Sequence, residues 1–276
     1  MNIKQLKRQI SALDDGRGDG GEGPAERSSI ATGCPDMDQK LASGGLLAGA
    51  LHEVAGSGYQ DRSAALGFTL GLTARLLQER PGPLIWCQLR DVDRLHLHGP
   101  GLMAFGIDPG RLTKVTLKRE IDLLWALEEA LDCPFVAGVV GVLWAEKLYN
   151  FTASRRLSLR AKKSGVTALL LRSHRATGAS ATASRWRIAA QPSPPNGHQA
   201  QWRVDLCKSS NGAEHNWDVV WNHEAIRFDL AARLAHRAPA ASDNKAPAAS
   251  EDRKPAASED KKPAASDTYK QRRVAR

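Results

Sequence analysis

The strongest candidate for nucleotide chemistry is the window Gly56-Ser-Gly-Tyr-Gln-Asp-Arg-Ser63, which lies between an apolar run and a helical pattern. In a phosphate-binding loop, G-x-x-x-x-G-K-[ST], backbone N–H groups hold the phosphates, the Lys reaches the outer ones and the hydroxyl holds magnesium. Here the second Gly is Asp61 and the Lys is Arg62. The window therefore predicts a degenerate nucleotide loop formed by Gly56, Ser57, Gly58, Asp61, Arg62 and Ser63.

The two substitutions argue against catalysis. A carboxylate at Asp61 beside a phosphate would cost about 4 kcal/mol at an effective dielectric near 20. As the N-cap of the following helix, the same side chain would contribute about 1 kcal/mol. Arg62 keeps the positive charge but presents a planar fork, so we expect an ion-pair cation. An acid that binds magnesium is also expected at the end of the apolar run 135–143, but the first acid after this run is Glu146. We predict no ATP hydrolysis, no catalytic residue and no cofactor.

Basic segments follow this region. A predicted helix at about 151–163 is rich in Lys and Arg, and a loop of small residues at 174–187 is bracketed by arginines. Such a loop could contact single-stranded nucleic acid through phosphates and stacking, although a solvated charged face is an equally good interpretation. The candidate DNA or partner contacts are Arg155, Arg156, Arg160, Lys162, Lys163, Arg172, Arg175, Arg185 and Arg187.

Composition limits the other possibilities. The 276 residues carry a formal charge of +9, which suggests an acidic partner such as nucleic acid. The four cysteines form no C-x-x-C pair and the histidines show no metal-ligand spacing, so we predict a protein of the reducing cytosol without a metal. The longest apolar run, 135–145, is too short to span a bilayer, and no membrane association is expected.

The central region alternates between apolar strands and helices. Strands are predicted at 49–54, 83–88, 112–117, 135–143 and 166–171, and helices at about 62–79, 119–132 and 151–163. Strands without in–out alternation, separated by helices, predict an α/β fold whose mostly parallel twisted sheet has helices on both faces. After residue 184 the segments 186–189, 201–207 and 217–221 predict an antiparallel C-terminal extension.

The termini differ from this core. Ile3, Leu6, Ile10 and Leu13 have helical spacing and predict an amphipathic docking helix over residues 1–13. Residues 14–29 resemble a flexible linker, and 30–237 form the predicted domain. From Pro239 the chain repeats PAAS-containing units with a period of eight, and this composition predicts a disordered tail over 238–276.

Several motifs occur in a familiar order. The segment 31–66, ATGCPDMDQKLASGGLLAGALHEVAGSGYQDRSAAL, resembles the opening of the RecA core, and Phe105-Gly-Ile-Asp-Pro-Gly-Arg-Leu112 resembles a later RecA signature. Within that group Leu84-Ile-Trp-Cys-Gln88 and Leu124-Trp-Ala-Leu-Glu-Glu-Ala-Leu131 are most similar to the ImuA family. The resemblance covers about residues 28–222 and implies a RecA-like core.

The resemblance also implies a role. ImuA-like proteins act in the SOS response with an ImuB-like inactive Y-family polymerase homologue and an error-prone replicative-type polymerase α subunit. The implied function is a non-catalytic adaptor of translesion synthesis, cytoplasmic and nucleoid-associated after DNA damage. RecA and single-stranded DNA are further candidate partners. An active RecA-type ATPase or recombinase and a SulA-like cell-division inhibitor are the alternatives.

Overall fold

The computed structural model describes residues 28–90, 96–144, 147–193 and 199–231. The chain divides into one unit of residues 1–238 and a second of residues 239–276, and the described residues belong to the first. The predicted docking helix, most of the linker and the repeat tail lie outside the described ranges. The proposed role of Ile3, Leu6, Ile10 and Leu13 and the predicted domain boundaries therefore stay predictions.

The described strands form two sheets. Their bounds are β1 (Ser29–Ile30), β2 (Leu46–Leu47), β3 (Leu51–Gly56), β4 (Leu84–Leu89), β5 (Leu112–Leu117), β6 (Gly138–Leu143), β7 (Thr167–Arg172), β8 (Ser184–Gln191), β9 (Gln201–Lys208), β10 (His215–Asn222) and β11 (Arg227–Leu230). β1 and β2 pair alone, and the other nine follow the order β11-β10-β9-β8-β3-β7-β6-β4-β5.

The large sheet has a parallel part and an antiparallel part. The six strands from β8 to β5 in the sheet order pair in parallel. β9, β10 and β11 add to β8 in antiparallel orientation. The predicted α/β class with an antiparallel C-terminal extension is confirmed. The extension begins one strand later than predicted, because β8 pairs with β3 in parallel as well as with β9.

Helices cover both faces of the sheet, as predicted. They are α1 (Pro35–Asp38), α2 (Arg62–Glu79), α3 (Gly99–Ala104), α4 (Glu120–Leu131) and α5 (Phe151–Ser164). α2 packs into a core with Trp86 of β4 and Val140 of β6. α4 and α5 pack into a second core with Cys87 of β4 and Val139 of β6. These two residues are the sequence neighbours of Trp86 and Val140 and point to the other face of the sheet. Alternate residues of the buried strands thus serve two hydrophobic layers, which is why these strands are apolar throughout.

Most predicted elements are confirmed to within two residues. The apolar run 135–143 is shorter as a strand, since β6 starts at Gly138. The sequence patterns missed α1, α3, β11 and the β1–β2 pair, which are short and lack a periodic signal. Among the described helices, none combines the length and the apolar character that crossing a bilayer requires.

Candidate functional site at the carboxyl edge of the sheet

The loop-like window lies where a strand ends and a helix begins. β3 ends at Gly56, a 3₁₀ turn spans Tyr59–Asp61, and α2 begins at Arg62. In open α/β sheets, ligands bind in the crevice outside the carboxyl ends of the parallel strands. Gly56 allows the loop to fold back, because a Cβ there would lie 2.9 Å from the Gly58 carbonyl oxygen. The backbone geometry of the window therefore matches its predicted position.

The protein's own groups use the amides of this loop. The buried Asp61 carboxylate accepts hydrogen bonds from the Gly58 N–H, at 2.8 Å, and from the Ala190 N–H of β8, at 3.0 Å. The Ser57 N–H donates to the Ile188 carbonyl at 2.8 Å. Two loop donors that could face a phosphate are thus bound internally. The prediction that the Asp61 side chain caps α2 is wrong, since it bonds the loop and β8 instead of the first turn of the helix.

Arg62 lies against aromatic rings. Its guanidinium carbon is 3.7 Å from the centroid of Trp144 and 5.4 Å from that of Tyr59. Trp144 directly follows β6, at the sheet edge where the sequence lacks a magnesium-binding acid. Among the described residues no carboxylate pairs with Arg62, so the expected ion pair is replaced by cation–π contact. Tyr59 is 67% exposed and packs edge-on against His174.

A buried ionic network stands next to the loop. Glu53 of β3, 1% exposed, accepts hydrogen bonds from Arg172 at 3.0 Å, Arg185 at 2.9 Å and the Tyr149 hydroxyl at 2.7 Å. Burial alone would raise the pKa of Glu53, but Arg172, Tyr149 and Arg185 together outweigh it and hold that pKa below its usual value. The Arg172 guanidinium also lies over the Tyr149 ring at 4.7 Å. The network joins three strands at one point of the sheet.

A second polar contact, one residue earlier on β3, links this strand to β8 and to β2. His52 is buried, with Nε2 at 2.8 Å from the Leu47 carbonyl and Nδ1 at 2.7 Å from the Ser184 hydroxyl. The carbonyl only accepts, so the Nε2 atom carries the proton and Ser184 donates to Nδ1. Burial lowers the pKa of His52 to about 4, against the smaller opposing effect of the Leu47 hydrogen bond. The ring is therefore neutral at neutral pH.

The predicted cationic contacts divide into two groups. Arg172 is 6% exposed and binds Glu53, so little of its side chain is left for the predicted DNA or partner contact. Arg185 is partly buried on Glu53, and Arg187 donates to the carbonyls of Gly56, His174 and Ala176. These arginines hold the loop after β7 against β3 and β8.

The remaining cations lie mainly on α5. Arg156 binds Glu128 of α4 at 2.8 Å, and Arg160 binds both Glu128 and Asp132. Four exposed cations have side chains that form no hydrogen bond or ion pair with another described side chain, namely Arg155, Lys162, Lys163 and Arg175. The structure thus brings Arg172, Arg185 and Arg187 together around β3 and leaves these four cations exposed.

Sequence reasoning missed Glu53, Tyr149, Trp144 and His52. A glutamate and a histidine inside the apolar run 49–54 were the available signal, because buried charge requires a partner. The partners could not be named, since they come from segments about 95 to 135 residues away along the chain. In the described part of the chain, no group of three His, Cys, Asp or Glu side chains could hold a metal ion.

The sheet order, the loop position and the antiparallel strands define an α/β protein whose architecture is consistent with a RecA-like core. No protein-family model matches the sequence. Two curated relatives, both named Protein ImuA and from Caulobacter vibrioides strains NA1000 and ATCC 19089, are each 31% identical over 234 residues. The alignments cover 78% of this chain and 93% of each relative. The chain belongs to the ImuA family.

Proposed function

We propose that this chain is a non-catalytic RecA-like adaptor of an error-prone translesion synthesis complex in the SOS response. Its partners would be an ImuB-like inactive Y-family polymerase homologue and a replicative-type polymerase α subunit, with RecA and single-stranded DNA as further candidates. Family membership supports the mutagenesis role. The proposed location is the cytoplasm, with association to the nucleoid after damage.

One observation carries the non-catalytic part of the proposal. The Asp61 carboxylate binds the Gly58 N–H in the position where a nucleotide phosphate would accept it. A phosphate at that point would either place two anions side by side or displace Asp61, which would leave the Ala190 N–H without its acceptor. Arg62, held over Trp144, is oriented by an aromatic ring instead of a phosphate.

A nucleotide titration tests this part. Labelled ATP is titrated into the full chain with magnesium and single-stranded DNA present, and we expect no saturable signal. Saturable binding that Arg62→Ala abolishes would instead support the alternative of an active RecA-type ATPase.

The adaptor role is tested separately by partner binding. The chain is co-purified with the polymerase homologue and the α subunit from cells exposed to a DNA-damaging agent. We expect a stable complex, weakened when residues 1–15 are removed, because that amphipathic segment is the proposed docking element. Filamentation on overexpression without added mutagenesis, together with no complex, would support a SulA-like inhibitor and contradict the adaptor.

A further inference from the structure

The outward face of α5 combines apolar and cationic side chains in one stripe. Phe151 is 48% exposed and Leu159 is 56% exposed, and eight residues separate them. At 1.5 Å per residue they lie about 12 Å apart, two turns along one face. Arg155 lies between them on the same face, and Lys162 lies beyond Leu159. We call Phe151, Arg155, Leu159 and Lys162 the α5 stripe.

The charge of the stripe is uncompensated within the described residues. α5 contains no acid, and the neighbouring Glu128 of α4 and Asp132, the residue after α4, bind Arg156 and Arg160. No described residue forms an ion pair with Arg155 or Lys162. The opposite face of α5 buries Ala153, Leu157 and Ala161 against the sheet, so packing of the fold does not require the stripe.

We propose that the α5 stripe docks an acidic amphipathic segment of another protein. Covering the exposed parts of Phe151 and Leu159 would remove apolar surface from water, and carboxylates flanking the partner's apolar residues would match Arg155 and Lys162. Leu148, also exposed, extends the apolar surface at the amino end of α5. The partner is defined by this chemistry and need not be the polymerase homologue of the proposed function.

Other occupants fit the stripe less well. A second copy meeting it across a two-fold axis would place like charges together. The chain's own segment 3–13 carries Lys4, Lys7 and Arg8 and has the same sign of charge. A nucleic acid would satisfy the cations but leave Leu159, which offers no ring for stacking, beside phosphates.

A synthetic probe tests the proposal on the full chain. The probe is a fluorescent peptide of about 18 residues with leucines along one helical face and glutamates on both sides of them, long enough to form a helix on binding. Two control peptides are a scrambled sequence of the same composition and a version with lysine for glutamate. We expect the probe to bind at least roughly tenfold more tightly than either control in fluorescence anisotropy, and less tightly as salt rises.

Variants locate the binding. Leu159→Glu and the double variant Arg155→Glu with Lys162→Glu should each weaken probe binding at least roughly tenfold. Met103→Ala, on the exposed side of α3, is the matched control and should leave binding unchanged. Circular dichroism establishes that each variant folds. Equal binding of probe and scrambled peptide, or binding unaffected by the stripe variants, would overturn the proposal. The proposal would also be overturned if single-stranded DNA were the only competitor that displaced the probe. Self-association of the chain that Leu159→Glu abolishes would overturn it as well.

Discussion

Asp61 and Arg62 occupy the positions where the phosphate-loop motif has Gly and Lys, and each makes specific contacts inside this protein. The carboxylate satisfies donors from the loop and from β8, and the guanidinium packs on Trp144. Both side chains therefore have structural roles that can be measured as stability.

Asp61→Ala should destabilise the fold. It leaves the Gly58 and Ala190 N–H groups without their acceptor, which costs about 2 kcal/mol in unfolding free energy. Urea denaturation measures the loss, with Ser63→Ala on the exposed side of the same helix start as the matched control. A midpoint equal to that of the wild type would show that water replaces the carboxylate.

Glu53→Gln should have a larger effect, because it removes the buried carboxylate that Arg172 and Arg185 share. Removing one member of a buried pair costs about 3–5 kcal/mol. Replacing Glu53, Arg172 and Arg185 together with Met should recover much of that loss, since the two cations are removed together with the carboxylate they share. Arg203→Ala, in an exposed pair with Asp218, is the control and should change stability by less than about 1 kcal/mol.

His52 makes stability depend on pH. Burial lowers its pKa from the ordinary 6.5 to about 4. Between these two values the unfolded chain binds a proton on His52 and the folded chain does not. Above pH 6.5 the neutral His52 ring makes its full contribution to the free energy of unfolding. As the pH falls toward 4 the free energy of unfolding decreases, by about 3 kcal/mol at most. His52→Gln should remove this slope from urea midpoints measured between pH 7 and 4, whereas His98→Gln, on an exposed residue, should keep it.

At the scale of elements, the turn before β5 fixes the end of α2. In the segment 105–112, Asp108 accepts from the Gly110 N–H at 2.8 Å. The Arg111 guanidinium then donates to the carbonyls of Leu77, Arg80 and Gly82. These are carbonyls at and just beyond the last turn of the helix, where no intrahelical N–H is available. The motif that resembled a RecA signature thus has a structural explanation.

Arg111→Lys should destabilise the protein although it keeps the charge. One ammonium cannot reach three carbonyls that a planar fork binds together, and we expect a loss of about 2 kcal/mol. Thermal or urea unfolding measures this, with the exposed Lys118→Ala as control. Equal stability of the lysine variant would mean that a single carbonyl contact is sufficient.

At the scale of the whole molecule, the repeat region is a separate unit from residue 239 onward. Its Pro, Ala, Ser and mixed charges cannot bury a core. Ending the chain at residue 238 should therefore leave the urea midpoint and the slope of the transition unchanged. A lower midpoint would show that residues 239–276 contribute to stability and would contradict the predicted tail.

The sequence by itself determined the α/β class, most helix and strand positions, and the place of the loop between β3 and α2. These follow from hydrophobic periodicity and from short motifs, which are local along the chain. Tertiary structure alone decided that Arg172 lies inside on Glu53, that Asp61 bonds β8, and that Arg62 packs on Trp144. Each of these contacts joins residues about 80 to 130 positions apart, and parallel strand pairing brings them together. Charge in the sequence therefore showed that arginines were present, but only the fold separated those inside from those available to a partner.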